Sequence, residues 1–363
     1  MENLMRLVAL NRTGFIILCG TILFVFLTQN LCAQYIFKGV VKGMVVDDST
    51  NAPLPLANIF IAGTTIGTVT NTDGTYQIKT VPYGTHQVIA SIVGYVPKFV
   101  TVDMIDTTEK KIVFRLKSQN VQLSPVIIEG SEQPEWKQNL QKFIAQFFGL
   151  TPNAAQCKLL NPEVLDFAGD EKTSELTATV RAPLVIENNA LGYRLRYYLK
   201  YFKLKNEELY FNGSVEFEQL HTESADEILQ WKNNRRNTYI GSRRHFFSTL
   251  FHKNSKEEGF EITSIPNEQF RSVGFYRNGV EVDPDTLVAD GETIYEKKLS
   301  SRDILQVVSG GGLFNKRISR LELKYNSIII FSNGEIAEPL GILTFGYWST
   351  QRAAEFLPSD YEP

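Results

Sequence analysis

The stretch Gly67-Thr-Val-Thr-Asn-Thr-Asp-Gly-Thr-Tyr76 decides how the first part of the chain is read. Asn71 and Asp73 carry short polar side chains that bond the backbone two residues on, and Gly74 supplies the positive φ of a tight reversal. The β-branched and aromatic residues on either side, Thr68 to Thr70 and Thr75-Tyr76, favour extended strands. Outward from this reversal, short β-rich runs occur at 40–46, 57–61, 67–70, 76–78, 86–92, 98–102 and 111–116. Val81-Pro-Tyr-Gly84 and Val93-Gly-Tyr95 punctuate the later ones. Short strands at this spacing predict a seven-stranded β-sandwich over residues 36–118.

Its turns carry a more specific signal. Gly43-x-Val45-x-Asp47, Pro53-Leu-Pro-Leu-Ala57-Asn-Ile59, Gly67-Thr-x-Thr70-Asn-x-Asp73-Gly74-x-Tyr76, Pro82-x-Gly84 and Gly94-Tyr95 succeed one another in order. In that order they resemble the carboxypeptidase regulatory-like domain, a transthyretin-like sandwich, over less than a quarter of the chain. The resemblance implies a structural or binding module without chemistry of its own. A zinc carboxypeptidase needs a His-x-x-Glu pair and a distant His, because imidazole and carboxylate must converge on one metal. His86, His221, His245 and His252 are the only histidines, and none is followed by Glu three residues later. The peptidase chemistry is excluded, and no metal or cofactor site is expected.

The same family stands at the N-terminus of Bacteroidetes-type outer-membrane receptors, ahead of a plug and a large barrel. Val121-Gln-Leu-Ser-Pro-Val-Ile-Ile128 resembles the short strand that links this module to the next domain. Only 235 residues come after it, too few for the resembled plug and a barrel of about 22 strands, each of roughly 9–11 residues.

At 363 residues the chain is long enough for about two or three domains. With 43% hydrophobic, 12% aromatic and 21% charged residues it reads as globular rather than disordered. A net charge of −3 supplies no long-range attraction to phosphate polymers, so no nucleic-acid partner is expected. Arg6 and Arg12 precede the apolar run from Gly14 to Leu27, and Leu31-Cys-Ala-Gln34 comes after it. This predicts a signal peptide over residues 1–33, cleaved after Ala33. A retained anchor and a lipoprotein attached at Cys32 are the alternatives. Cleavage removes Cys19 and Cys32 and leaves Cys157 alone, read as a buried structural thiol. The expectation is an exported protein of the periplasm or outer membrane.

Beyond a linker at 119–133, Trp136, Leu140, Phe143, Ile144, Phe147 and Phe148 recur at helical intervals between Pro134 and Gly149 and predict an amphipathic helix docked on a core. Alternation from 176 to 220, with breaks at 187–190, 206–208 and 212–213, predicts an antiparallel meander. Residues 225–251 read as helix, and strands resume from 260, ending in runs at 320–332 and 340–347 around an Asn333-Gly334 turn. The fold class is therefore mostly β: a transthyretin-like β-sandwich, then an antiparallel-sheet α+β domain with a few helices over 134–363. Leu160-Asn-Pro, Pro183-Leu-Val-Ile-Glu-Asn188 with Leu191-Gly-Tyr193, Trp231-x-x-Asn234-Arg235, Tyr239-x-Gly-Ser242-x-x-His245-Phe246 and Leu357-Pro-Ser-Asp-Tyr-Glu-Pro363 are similar to uncharacterised Bacteroidetes proteins with this N-terminal module. That similarity bears on architecture and lineage, not on an activity.

The densest polar group runs from Asn234 to His245. Arg235, Arg236, Tyr239, Arg243, Arg244 and His245 form a candidate anion or partner site. On one helix Arg236, Tyr239 and Arg243 would share a face; the plain reading is a solvated, salt-bridged helix. Ser242 and His245 sit three apart, yet no Gly-x-Ser-x-Gly elbow occurs and no catalytic residue is assigned. Ser309-Gly-Gly-Gly-Leu-Phe-Asn-Lys316 lacks the Gly-Lys-Ser/Thr ending of a phosphate loop and reads as a mobile connection. Asp283-Pro-Asp285 and Asp290-Gly-Glu292 are turn formers without EF-hand spacing. The reading is a non-enzymatic envelope protein with a structural or binding role. Its partner would be an envelope protein or glycan, with peripheral membrane association and an oligomeric state left open. The alternative is a hydrolase acting on glycan or peptide, with the sandwich as accessory. Its acidic pairs are Glu216/Glu218 and Glu207/Glu208, although pleat geometry alone puts i,i+2 carboxylates on one face.

Overall fold

The computed structural model describes residues 38–104, 109–119, 134–170, 175–206, 208–267, 279–310 and 316–363. The leader segment with Cys19 and Cys32, the 121–128 stretch, Glu207 and most of the 309–316 glycine run lie outside the described residues. Gly39–Pro363 forms one compact unit.

Seven strands make the sandwich: β1 (Lys38–Asp47), β2 (Asn58–Ile61), β3 (Gly67–Val69), β4 (Thr75–Pro82), β5 (Gly84–Ser91), β6 (Lys98–Met104) and β7 (Glu109–Leu116). One sheet has the order β4-β1-β7 and the other β3-β2-β5-β6. Alternate residues point inward, as the pleat requires, and Val41, Val45, Ile59, Ile61, Tyr76, Ile78, Val88, Ala90, Phe114 and Leu116 pack into one core. Strands β1 and β7 run parallel with Gly43 opposite Ile112. A Cβ at Gly43 would lie 1.7 Å from the Ile112 carbonyl oxygen, so only glycine permits this backbone approach.

The deciding reversal forms as expected. Asp73 accepts the Thr75 N–H at 3.0 Å, and Gly74 adopts φ +76°. Asp47 and Tyr95, widely separated in the chain, meet where the Tyr95 hydroxyl donates to Asp47 Oδ2 at 3.0 Å. The other Asp47 oxygen accepts the Ser49 and Thr50 N–H groups. These bonds, those of Thr50 foremost, hold its carboxyl below the usual range.

The second part builds two cores. Helix α1 (Pro134–Phe148) lays Phe143 and Phe147 on a six-stranded sheet of β8 (Cys157–Leu159), β9 (Leu165–Asp170), β10 (Glu175–Val180), β11 (Leu184–Asn188), β12 (Tyr193–Lys205) and β13 (Glu208–Gln219). Phe143 meets Phe202 at 4.6 Å between centroids, and Phe147 meets Tyr197 at 5.1 Å. Trp136, at the head of the stripe, donates to the Leu165 carbonyl at 3.1 Å.

The sheet is not the expected meander. Strands β10 and β11 do not pair with each other; both pair with β12, while β13 pairs with β12 along its length. Nor does the chain break at 212–213. Gly213 lies inside β13, opposite Leu199 and beside a bulge, where a Cβ would come within 2.5 Å of the Tyr198 carbonyl oxygen. The glycine marks close approach, not a turn.

Helices α2 (Ala225–Tyr239) and α3 (Arg243–His252) replace the single helix expected over 225–251. Beyond α3 the chain forms β14 (Glu261–Ile265), β15 (Val280–Glu281), β16 (Val288–Asp290), β17 (Glu296–Leu299), β18 (Ile304–Ser309), β19 (Arg317–Leu323), β20 (Ile328–Phe331), β21 (Ile342–Gly346) and the short α4 (Tyr347–Thr350). Phe246, Phe247, Leu250, Phe260, Leu305, Leu321, Ile330 and Trp348 form this third core. The run at 320–332 is not one strand. β19 pairs with β18 and β21, whereas β20 belongs to a separate sheet, β16-β17-β20. The chain turns at Lys324–Ser327 and changes sheets there, yet both halves stay in one core, Leu321 from β19 and Ile328 and Ile330 from β20 packing together.

Candidate functional site

The polar segment 234–245 is organised by the break between α2 and α3. Helix α2 ends at Tyr239, and Gly241 adopts φ +75°, which stops the helix at low steric cost. The turn is held from outside: Arg317 donates to the Ile240 carbonyl at 2.9 Å and the Trp348 indole to the Gly241 carbonyl at 2.9 Å. Ser242 then opens α3 as its N-cap, its Oγ accepting the His245 N–H at 3.1 Å. The Ser/His spacing of three is thus a capping geometry. The hydroxyl addresses the histidine's backbone, not its ring, and Arg236, Tyr239 and Arg243 do not share one helix face.

His245 is buried between Tyr239 and Phe260, each 5.1 Å away by ring centroids. Its Nδ1 accepts the Gly241 N–H at 3.2 Å, which leaves Nε2 as the protonated nitrogen of the neutral ring. Nε2 lies 3.5 Å from Glu258 Oε2. Burial lowers its pKa from the ordinary value, with Glu258 opposing.

The arginines divide by role. Arg235 is buried and donates to the Leu191 carbonyl at 2.6 Å and the Gly192 carbonyl at 3.2 Å, its guanidinium 4.0 Å over the Tyr193 ring. Trp231 donates to the Asn189 carbonyl and Asn234 to that of Ala190, both at 2.8 Å. Residues at i, i+3 and i+4 on one face of α2 therefore bind successive carbonyls of the 189–192 turn. That accounts for the Trp231-x-x-Asn234-Arg235 pattern and for Gly192, where a Cβ would strike the Trp231 ring at 2.2 Å. The i,i+3,i+4 spacing of three donors was the available signal.

Arg244 grips the segment near Leu357–Tyr361. It donates to the carbonyls of Asn333 (2.9 Å), Pro358 (2.6 Å), Ser359 (2.7 Å) and Tyr361 (3.0 Å), a use suited to a planar fork of donors. Arg236 and Arg243 remain exposed. Of the six candidate residues, the structure brings Arg236, Tyr239 and His245 to one cleft of about 500 Å3. Arg235 and Arg244 hold backbone instead, and Arg243 does not line the cleft.

A second polar site lies where the sandwich docks. Phe60 and Ile89 point away from the sandwich core and are buried with Tyr198 of β12. Around them Tyr198 donates to Ser91 Oγ at 3.2 Å, Ser214 to Gln87 at 2.6 Å and Asn58 to Glu216 at 2.5 Å. The loop after β2 pairs by backbone with β13: the Gly63 N–H donates to the Val215 carbonyl at 2.6 Å, and that of Phe217 to Thr64 at 3.3 Å. Ser359 N–H reaches the Gly63 carbonyl at 2.7 Å, and Asp360 accepts from Thr65. Glu216 also pairs with Arg196 at 3.0 Å, yet burial dominates and raises its pKa. Glu218 pairs with Arg194 and Arg196 instead.

Among the described residues no group of three or more His, Cys, Asp or Glu converges as a metal site. Asp283 pairs with Lys256 and Asp290 with Lys297. Cys157 is half-buried, its thiol pushed up to about 12 by burial. No described helix is long and apolar enough to cross a membrane.

The class defined by these features is a mostly-β protein, a β-sandwich docked edge and face on an α+β region. Residues 41–128 match the family model of the CarboxypepD_reg-like domain, so the chain carries that domain N-terminally. No curated protein matches the chain. Among solved structures it is similar to the major pilin subunit of Bacillus cereus, at 11% identity over 23% of this chain and 30% of that one, TM-score 0.20. It is also similar to a type II cohesin–X-dockerin complex from Acetivibrio cellulolyticus, at 22% identity over 31% and 76%, TM-score 0.21. A third is catechol 1,2-dioxygenase of Acinetobacter sp. ADP1, at 10% identity over 25% and 55%, TM-score 0.17. The chain spans under a third of the pilin's length, and at these scores the likenesses carry no functional inference.

Proposed function

We propose that this chain is an exported, non-enzymatic envelope protein in which the CarboxypepD_reg-like sandwich and the α+β region work as one structural and binding unit. The observation that supports this reading is the use of the polar side chains. Arg235, Arg244, Ser242 and the Glu216–Arg196 pair all hold the architecture together, and the sandwich is docked through a buried face. Binding then falls to exposed loops and clefts presented by a fixed scaffold. The partner is an envelope protein or glycan, met in the periplasm or at the outer membrane.

Fractionation of the expressing cell, with mass spectrometry of the chain's N-terminus, is the test. The expected product begins at Gln34 and sits in the envelope fraction. A cytoplasmic chain beginning at Met1 would overturn the proposal, and so would turnover of a glycan or peptide substrate by the purified protein.

A further inference from the structure

Strand β13 pairs with β12 on one side, and the chain covers its other side only in part. At 215–217 the loop after β2 fills that edge, through the Gly63 N–H to the Val215 carbonyl and the Phe217 N–H to the Thr64 carbonyl. Residues two apart in a strand send their side chains to one face and their backbone N–H and C=O groups to one side. Leu209, Phe211, Val215 and Phe217 all face the core beneath α1. Leu209, Phe211 and Gly213 therefore aim their backbone groups as Val215 and Phe217 do, away from β12. Among the described residues no backbone hydrogen bond reaches these three from outside the sheet. Leu209, Phe211 and Gly213 are half-buried and Glu208, Tyr210 and Asn212 exposed, so this run of the edge meets solvent.

Open strand edges are ordinarily blunted by lysine, proline or a bulge. Between 208 and 213 there is no Lys, Arg or Pro. The one charge, Glu208 at the strand's start, accepts the Tyr210 hydroxyl at 2.9 Å. The bulge of this strand pair lies on β12 at Lys200 and leaves β13 continuous. We propose that this edge pairs with the same edge of a second copy of the chain, antiparallel about a twofold axis at Phe211. A twofold interface needs a surface complementary to itself, and one register supplies it. Residues that bond across the axis must both aim outward, and Val215 is already taken. The register that uses all three free residues sets Phe211 opposite Phe211, and Leu209 opposite Gly213 of the second copy. Tyr210 then faces Asn212 of the second copy, and Glu208 meets no like charge. The second copy continues a pairing that Gly63 and Thr64 already make on the same edge. The inference goes beyond the envelope reading and does not depend on it.

Sedimentation velocity of the purified protein over a range of concentrations tests this. A reversible monomer–dimer equilibrium is expected, weak because so short a ladder falls below the about 1,200 Å2 of a standard interface. Tyr210→Lys combined with Asn212→Lys sets like charges opposite each other at both pairs and should raise the dimer Kd about tenfold. Tyr210→Glu combined with Asn212→Lys sets opposite charges across both pairs and should leave the dimer at least as tight as the parent's. The same exchange would oppose two glutamates if Tyr210 faced its own copy, so it reads the register. Both side chains are exposed, and circular dichroism of the variants checks that the fold is kept. A dimer indifferent to the lysine pair, or one broken by the glutamate–lysine pair, would overturn the proposal. So would a protein that stays monomeric throughout, which would leave the edge to an extended segment of another protein.

Discussion

Tyr198 of β12 stacks on Phe60 of β2 with ring centroids 5.8 Å apart. Phe60 is 2% exposed although it sits on the outer face of the sandwich, and Phe99 closes the contact edge-on at 5.7 Å. One aromatic cluster therefore decides that the sandwich is part of a larger body and not a bead on a linker.

Removing that anchor should be expensive. Phe60→Ala empties a buried aromatic site, a change that costs about 3–5 kcal/mol, and equilibrium denaturation should show it. Tyr198→Phe keeps the ring and loses only the bond to Ser91, for about 1 kcal/mol. If Phe60→Ala leaves stability unchanged, the docked arrangement is wrong.

Arg244 should act as a clasp. Arg244→Ala frees three carbonyls of the 358–361 segment, and a loss of about 3 kcal/mol is expected. Limited proteolysis should then cut near Leu357–Tyr361. Lysine should not rescue, because a single ammonium cannot reproduce a planar fork that reaches four carbonyls.

Ser242→Ala tests the cap. It should cost about 1 kcal/mol, measured by thermal or denaturant unfolding. Ser242→Asp, also a good cap, should restore the loss, an outcome foreign to a nucleophile.

Glu216 should make the docked state pH-dependent. Its carboxyl is raised above the ordinary value of 4.5, first by burial and further by Glu218, with Arg196 and Asn58 opposing. The folded chain thus binds this proton more tightly than the unfolded one. Its contribution is fully present below the unfolded value near 4.5 and is lost as pH rises through the elevated folded one. The stability difference between Glu216→Gln and the parent should therefore change across that window, with the variant relatively more stable at neutral pH. A difference that stays constant from acid to neutral would sink this account.

Local chemistry made the sandwich legible. Asn71-Thr-Asp-Gly74 can hardly do anything but reverse the chain, because its side chains bond their own backbone and its glycine alone accepts the φ required. The α1 stripe was legible for the same kind of reason, a period of 3.6 written in large apolar residues. Where the sequence misled, the missing information was non-local. Gly213 looks like a break, yet it lies inside a strand, required by the close approach of the Tyr198 carbonyl across the sheet. Ser242 and His245 look like a chemical pair, and only the turn at Gly241 shows that they cap a helix.

The sequence alone determined the elements and turns of the N-terminal module, the absence of peptidase histidines and the mostly-β class, because propensity, periodicity and turn chemistry act over a few residues. Tertiary structure alone decided which face of β2 and β5 docks on β12, which arginines bind backbone and which stay exposed, and that burial raises the Glu216 carboxyl. Those outcomes depend on burial and on partners scores of residues away, and no local pattern encodes them.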